Sequence, residues 1–171
     1  HPQAIGQMAL ARFHTYLNSE KNEDLEGFLL LANWYMENYK QFKGTIYWPM
    51  EKPTKNSVYV SSSNQIISSM SQSRAISVLT RAFSITGNHS YLDMVEKAIK
   101  AYQLNIEEGG FLLRKNNLIL FEEDGQPSIL NHMIFTLFGL YDYCKLNNFR
   151  TEYYELFKEA IDSITVILPN Y

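Results

Sequence analysis

One cysteine in 171 residues excludes an internal disulfide and a cysteine-rich zinc site. That residue, Cys144, lies in a helical-looking stretch beside Tyr141 and Tyr143, where a thiol is expected to be buried and structural. Long apolar runs are missing too. No stretch approaches the ~20 residues that span a bilayer, and His1-Pro2-Gln3 lacks a basic segment followed by an apolar one, so no membrane span is expected. Positive charge is in short supply: the formal net charge is -3, without the clustered Lys and Arg that hold nucleic acid. There is no phosphate loop, nucleophile elbow or dinucleotide fingerprint. The four histidines, His1, His14, His89 and His132, have no metal-site spacing. Asn88-His89-Ser90 matches the N-glycosylation pattern but is too short to fix a compartment.

What remains is an ordinary globular composition, 46% hydrophobic and 19% charged, enough for one domain with a substantial core. Its periodicity is helical. Apolar residues recur at helical spacing through Ile5, Met8, Ala9, Phe13, Tyr16 and Leu17, then from Leu25 through Phe28, Ala32 and Tyr35 to Tyr39, with polar residues 18–24 between. A second pair runs from Met70 to Phe83 and from Leu92 to Tyr102, broken at Thr86-Gly87-Asn88. Gly87 suits a left-handed stop, and Asn88 or Ser90 suits a cap. The third pair runs from Leu130 to Tyr141 and from Tyr153 to Leu168, broken at Asn147-Asn148, with Thr151 as the expected cap.

Each first helix carries a similar apolar-aromatic string: Ala11-Arg12-Phe13, Arg81-Ala82-Phe83 and Gly139-Leu140-Tyr141. This is a loose internal repeat of αα-hairpins. The fold class is therefore all-α, with residues 1–171 read as one domain, either a helical solenoid or an arc of an (α/α) toroid. Both ends read as cut from something longer. Two long connections interrupt the helices. One, Gly44 to Ser63, carries Tyr47-Trp48-Pro49; the other holds two β-like runs within 111–121, with Asn116-Asn117 as a hairpin turn.

Three segments are candidates for chemistry. Glu122-Glu123-Asp124 places three adjacent carboxylates before a helix. Mutual repulsion in a partly buried site holds one of them protonated, as acid–base chemistry needs, whereas an acidic turn at a helix N-terminus would be merely solvated. Ser68 to Ser77 is unusually polar for a helix start, and Gln72 and Arg74 there can hydrogen-bond a sugar, unless the segment is only a capped, solvent-facing turn. Tyr47 and Trp48, in a loop with Pro49, are the aromatics expected to stack on sugar faces, while Trp34 and Tyr35 read as core. His132, on an apolar helix face, reads as a core histidine.

Taken in order, His1-Pro2-Gln3-Ala4-Ile5-Gly6-Gln7, residues 68–77 with their Ser-x-Met-x-Gln string, Phe121-Glu122-Glu123, Leu130-Asn131 with Phe138-Gly139-Leu140-Tyr141-Asp142, and Ile167-Leu168-Pro169-Asn170-Tyr171 resemble the C-terminal domain of glucuronyl C5-epimerases. The resemblance covers nearly the whole chain. It implies an (α/α) toroid that converts glucuronate to iduronate in a heparan-type polysaccharide without metal or nicotinamide cofactor, and it leaves room for a homodimer. Glu123 or Glu122 then takes the acid or base role, with Gln72, Arg74, Tyr47, Trp48, Arg114 and Asn131 as substrate contacts. In the family a tyrosine follows the glutamate pair and a further tyrosine lies beyond the last residue here. Asp124 stands in place of the first and the second is absent, so the isolated chain is expected to be inactive. The alternative is a non-catalytic helical module that binds a glycan or a protein.

Overall fold

The structure, a computed structural model, describes residues 1–51, 65–121 and 130–170. Among them are six α-helices in three consecutive hairpins: α1 (Pro2–Ser19) with α2 (Asn22–Glu37), α3 (Ser69–Thr86) with α4 (His89–Ala98), and α5 (Leu130–Leu146) with α6 (Glu152–Ile167). All three pairs match the periodicity of the sequence. The helix ends follow local chemistry. Pro2 occupies the first turn of α1, where a missing N–H costs nothing, and Glu20 closes the helix in the left-handed region. Ser68 caps α3 by accepting the Ser71 N–H, and Gly87 ends it at φ 67°. Asn88 then starts α4 by accepting the Ser90 N–H at 3.0 Å.

Thr151 departs from expectation: it occupies the cap position of α6 without a side-chain capping bond. Its hydroxyl is engaged with Tyr143 instead, so the backbone carbonyl alone receives Tyr154 N–H, at 3.0 Å.

Three small antiparallel pairs decorate the helices. The hairpin read near 111–121 forms as β5 (Leu112–Lys115) and β6 (Leu118–Phe121), turned by Asn116 and Asn117 at φ 50° and 62°, as a two-residue primed turn requires. The other two were not expected. β1 (Lys40–Phe42) and β2 (Thr45–Tyr47) turn through Lys43 and Gly44, both at positive φ, and β3 (Met50–Glu51) pairs with β4 (Gln65–Ile66).

The odd-numbered helices pack side by side, with α3 at the centre, and each carries the second helix of its own hairpin against it. Ala75, Ile76, Val78, Leu79 and Ala82 of α3 are wholly buried, as are Phe28, Ala32 and Tyr35 of α2 and Val95 and Ala98 of α4. The large apolar side chains still exposed on helices belong to the first and third hairpins, among them Met8, Leu17, Leu30, Phe138 and Val166. The serines of α3 are buried too, from Ser68 through Ser77, so the polar start of this helix is no solvent-facing turn. Small side chains here let neighbours approach closely.

Candidate functional site

Two glycines bring α1 and α5 onto adjacent residues of α3. A Cβ on Gly6 would lie 2.6 Å from Arg74 Cβ, and one on Gly139 would lie 2.8 Å from Ser73 Cα, so neither position has room for a side chain. Helices held this close leave a groove along the outward side of α3. Its first part is a cavity of about 270 Å³ between Leu10 of α1, Arg74, Ser77 and Arg81 of α3, and Phe135, Phe138, Tyr141 and Asp142 of α5. A second cavity, of about 510 Å³, continues from Arg81 and Asp142, which line both, toward Phe13, Thr80, Ser84 and Lys145. Positions 74, 77 and 81 follow the three-and-four spacing of one helix face. Thr80 Oγ1, at the border of the second cavity, is buried and has no hydrogen-bond partner among the described residues.

The two guanidinium groups in this groove differ in their surroundings. Arg81 donates to Asp142 Oδ2 at 2.5 Å and to the Ser77 carbonyl at 2.9 Å, so its charge is answered within the protein. Arg74 lies over the Phe135 ring, 4.3 Å from its centroid. No ion pair joins it to a carboxylate among the described residues, and burial pushes its pKa down, although the nearby Tyr35 counteracts this. Tyr35 itself is buried, with its hydroxyl donating to the Pro2 carbonyl at 2.6 Å, and burial raises its pKa well above the ordinary phenol value.

The carboxylates expected to carry the chemistry, Glu122 and Glu123, lie outside the described residues. Their neighbours are anchored near the start of α3: Phe121 packs on Tyr102 with ring centroids 5.4 Å apart, and Tyr102 donates its hydroxyl to the Ser69 carbonyl at 3.0 Å. On the other side, Asn131 is exposed in the first turn of α5.

Four other expected contacts are placed differently. Gln72, only 1% exposed, gives both Nε2 hydrogens to backbone carbonyls, Ile46 at 2.8 Å and Ala98 at 2.9 Å, and so ties β2 and α4 to α3. Tyr47 and Trp48 are not in an open loop. Pairing of β2 with β1 folds them inward, where Tyr47 donates to the Gly109 carbonyl at 2.7 Å and Trp48 Nε1 to the Tyr35 carbonyl at 2.9 Å. Burial pushes the Tyr47 phenol up to about 12. Arg114 is exposed on β5 and pairs with Glu159 of α6 at 3.1 Å, away from the groove.

Sequence reasoning missed Arg81 and Phe138 as groove residues. Their signal was the same three-and-four spacing, read there for the core and not followed on the opposite face. Phe138, Tyr141 and Asp142 share one string in the sequence, and all three line the first cavity. A further cavity, of about 450 Å³, lies at the start of α1 between His1, Trp34, Tyr39, Lys40 and Pro49. It carries a looser mixture of groups.

Comparison with known proteins adds four relationships. Residues 40–171 match the family described as D-glucuronyl C5-epimerase C-terminus. The D-glucuronyl C5-epimerase of Caenorhabditis elegans is 34% identical over 118 residues, which covers 61% of this chain and 19% of that protein. In three dimensions the chain is similar to a GH76 alpha-mannanase of Bacteroides thetaiotaomicron, with a TM-score of 0.69 and 16% identity over 95% of this chain and 43% of that one. It is also similar to a family 76 glycoside hydrolase from a bovine strain of that organism, with a TM-score of 0.66 and 12% identity over 91% of this chain and 32% of that one. At such identities these likenesses carry the fold alone: three helical hairpins of an (α/α) toroid.

Proposed function

Because the chain belongs to the D-glucuronyl C5-epimerase C-terminal family, we propose that it serves C5 epimerisation of uronic acid residues in a polysaccharide, of the glucuronate-to-iduronate type. The family match across residues 40–171, which contains the acidic run, carries this reading. The chain spans about a fifth of the C. elegans enzyme, 19% of its length, so the reaction belongs to the proposal.

The chemistry sets what the site must supply. Removing the C5 proton sends the C–H electron pair into the adjacent carboxylate, and a proton returning to the opposite ring face completes the inversion. In this reading Glu123, or its neighbour Glu122, exchanges the proton. Arg74 steadies the substrate carboxylate as charge builds on it, and Asn131 adds a hydrogen bond. Asp124 occupies the position of the family's tyrosine, so a carboxylate stands where a phenol would return the proton. Gln72, Tyr47 and Trp48, whose polar atoms are spent on backbone carbonyls, hold the walls in place.

The test is deuterium incorporation at C5 of a uronate polymer in heavy water, using the complete gene product and its Glu123→Gln variant. Exchange in the parent, reduced by about 10²–10⁴ in the variant, is the expected result. No exchange across several uronate polymers overturns the reading. A second reading, a glycan-binding arc without catalysis, is favoured by the structural use of Gln72, Tyr47 and Trp48; it requires binding with no exchange.

A further inference from the structure

We propose that Phe135 is a positioning residue: its ring is the platform that fixes the direction of the Arg74 guanidinium, and Ser73 fixes the platform. The use of Arg74 in the reaction rests on the function proposed above. The platform rests on contacts within the chain.

An arginine side chain is long and flexible, and whatever freedom it keeps in the free protein is lost when it pairs with an anion. Arg74 is held at both ends. At the stem, α1 comes so close that a Cβ on Gly6 would lie 2.6 Å from Arg74 Cβ. At the head, the guanidinium carbon stands 4.3 Å from the centroid of the Phe135 ring on α5. Each neighbouring helix supplies one of these contacts, so the packing of α1 and α5 on α3 sets where the side chain points.

The platform is pinned in turn. Ser73, next to Arg74 in the chain, donates its hydroxyl to the Phe135 carbonyl and accepts the Gly139 N–H at 2.9 Å. The Phe135 ring meets Phe138 edge-on, with centroids 5.8 Å apart. Two successive residues of α3 therefore grip one residue of α5, Ser73 by its backbone and Arg74 by its ring. Arg81 shows the other way to hold a guanidinium. Its N–H groups bond to Asp142 and to the Ser77 carbonyl, while the Phe13 centroid is 5.9 Å away. Hydrogen bonds of that kind use up the planar fork of donors, whereas an aromatic face orients the fork and leaves its edge to a ligand.

The experiment compares Phe135→Leu, which removes the π face, with Phe135→Tyr, which keeps it, in the complete gene product. Circular dichroism and melting confirm that each variant is folded. The first readout needs no substrate. With selectively labelled arginine, the Arg74 side-chain N–H resonance, assigned by its loss in Arg74→Lys, is expected upfield under the ring current, unmoved in Phe135→Tyr and shifted downfield in Phe135→Leu. The second readout is C5 deuterium exchange of a glucuronate polymer. Phe135→Leu is expected to lower its kcat/KM by about tenfold or more, mostly in kcat because Arg74 acts as charge builds on the carboxylate, and Phe135→Tyr to restore it. An Arg74 resonance that ignores Phe135→Leu overturns the proposal, as does a loss of exchange equally deep in Phe135→Tyr. Exchange that proceeds undiminished in Phe135→Leu overturns it while sparing the epimerase. If the parent shows no exchange, the reaction falls by itself, and the resonance alone then sustains or overturns the platform.

Discussion

The Ser73 hydroxyl on α3 accepts the amide proton of Gly139 on α5 at 2.9 Å. The same hydroxyl donates to the Phe135 carbonyl. Residues 135 and 139 are one helical turn apart, and their carbonyl and N–H are the two groups that bond to each other in an α-helix. A side chain of α3 is thus inserted into the backbone ladder of α5, which locks the two helices in register.

Gly139→Ala is expected to cost about 1–3 kcal/mol, the usual range for overpacking. Its new Cβ would meet Ser73 Cα at 2.8 Å, and backbone cannot rotate away. Ser73→Ala should cost less, about 0.5–1.5 kcal/mol, because the freed groups of Phe135 and Gly139 can bond to each other. Denaturant unfolding of both variants checks the order. Equal costs, or a milder Gly139→Ala, would contradict the close approach.

Gln72→Met strands two buried carbonyls, Ile46 and Ala98, at about 1–3 kcal/mol for each group left without a partner. Gln72→Glu should be worse at neutral pH, since a carboxylate brings charge into the core and has no proton to give. Acidification that protonates the new side chain should recover part of the loss. Melting curves of the two variants at pH 7 and pH 4, each against wild type, measure this. A tie between them at pH 7 would mean that Gln72 is not the buried donor described.

Alkali supplies a third prediction. Burial pushes the Cys144 thiol from 9.0 up to about 11, so the folded chain keeps a proton that the unfolded chain releases earlier. A raised native pKa gives stability that is fully present below about pH 9 and lost as pH climbs to about 11. Cys144→Ala should flatten this part of the stability profile even if its baseline is lower. A thiol reagent at pH 8 should react with the native protein only through opening. An unchanged slope between pH 9 and 11 in Cys144→Ala would assign the alkaline loss to other groups, the buried phenols among them, whose pKa burial also raises.

The three hairpins were legible because helical periodicity is a long-range pattern and each break carries turn chemistry, as at Gly87 and Asn147. The β5–β6 turn was legible for a similar reason, since adjacent asparagines tolerate the left-handed region. The fates of Tyr47 and Trp48 were not. Lys43-Gly44 is a turn signal, but three-residue strands are too short to show alternation, and Pro49 suggested a loop. What buries those rings is contact with Tyr35 and Gly109, remote in sequence. The serines of α3 misled in the same way: a polar first turn looks solvated until α1 and α5 are seen closing over it. The candidate chemistry was legible as a family string, but periodicity could not tell which arginine is paired with a carboxylate.

That distinction yields the last prediction. Asp142 neutralises Arg81 across the α3–α5 seam, with the two side chains 14% and 31% exposed. Removing one partner of a partly buried pair leaves the other charge desolvated and unpaired, so Asp142→Asn should lower stability by about 1–3 kcal/mol. The same change leaves Arg81, like Arg74 about 10 Å along α3, without a paired carboxylate among the described residues. If the groove reads carboxylates, affinity for an unsulfated glucuronate polymer should rise as stability falls, and the gain should fade in salt, which screens partly exposed charges. Arg81→Met should lower stability without that gain. Calorimetric titration of both variants at two ionic strengths decides the matter. A loss of affinity in Asp142→Asn would make the Arg81–Asp142 pair part of the binding surface, and no change would remove charge as the basis of recognition at that end of the groove.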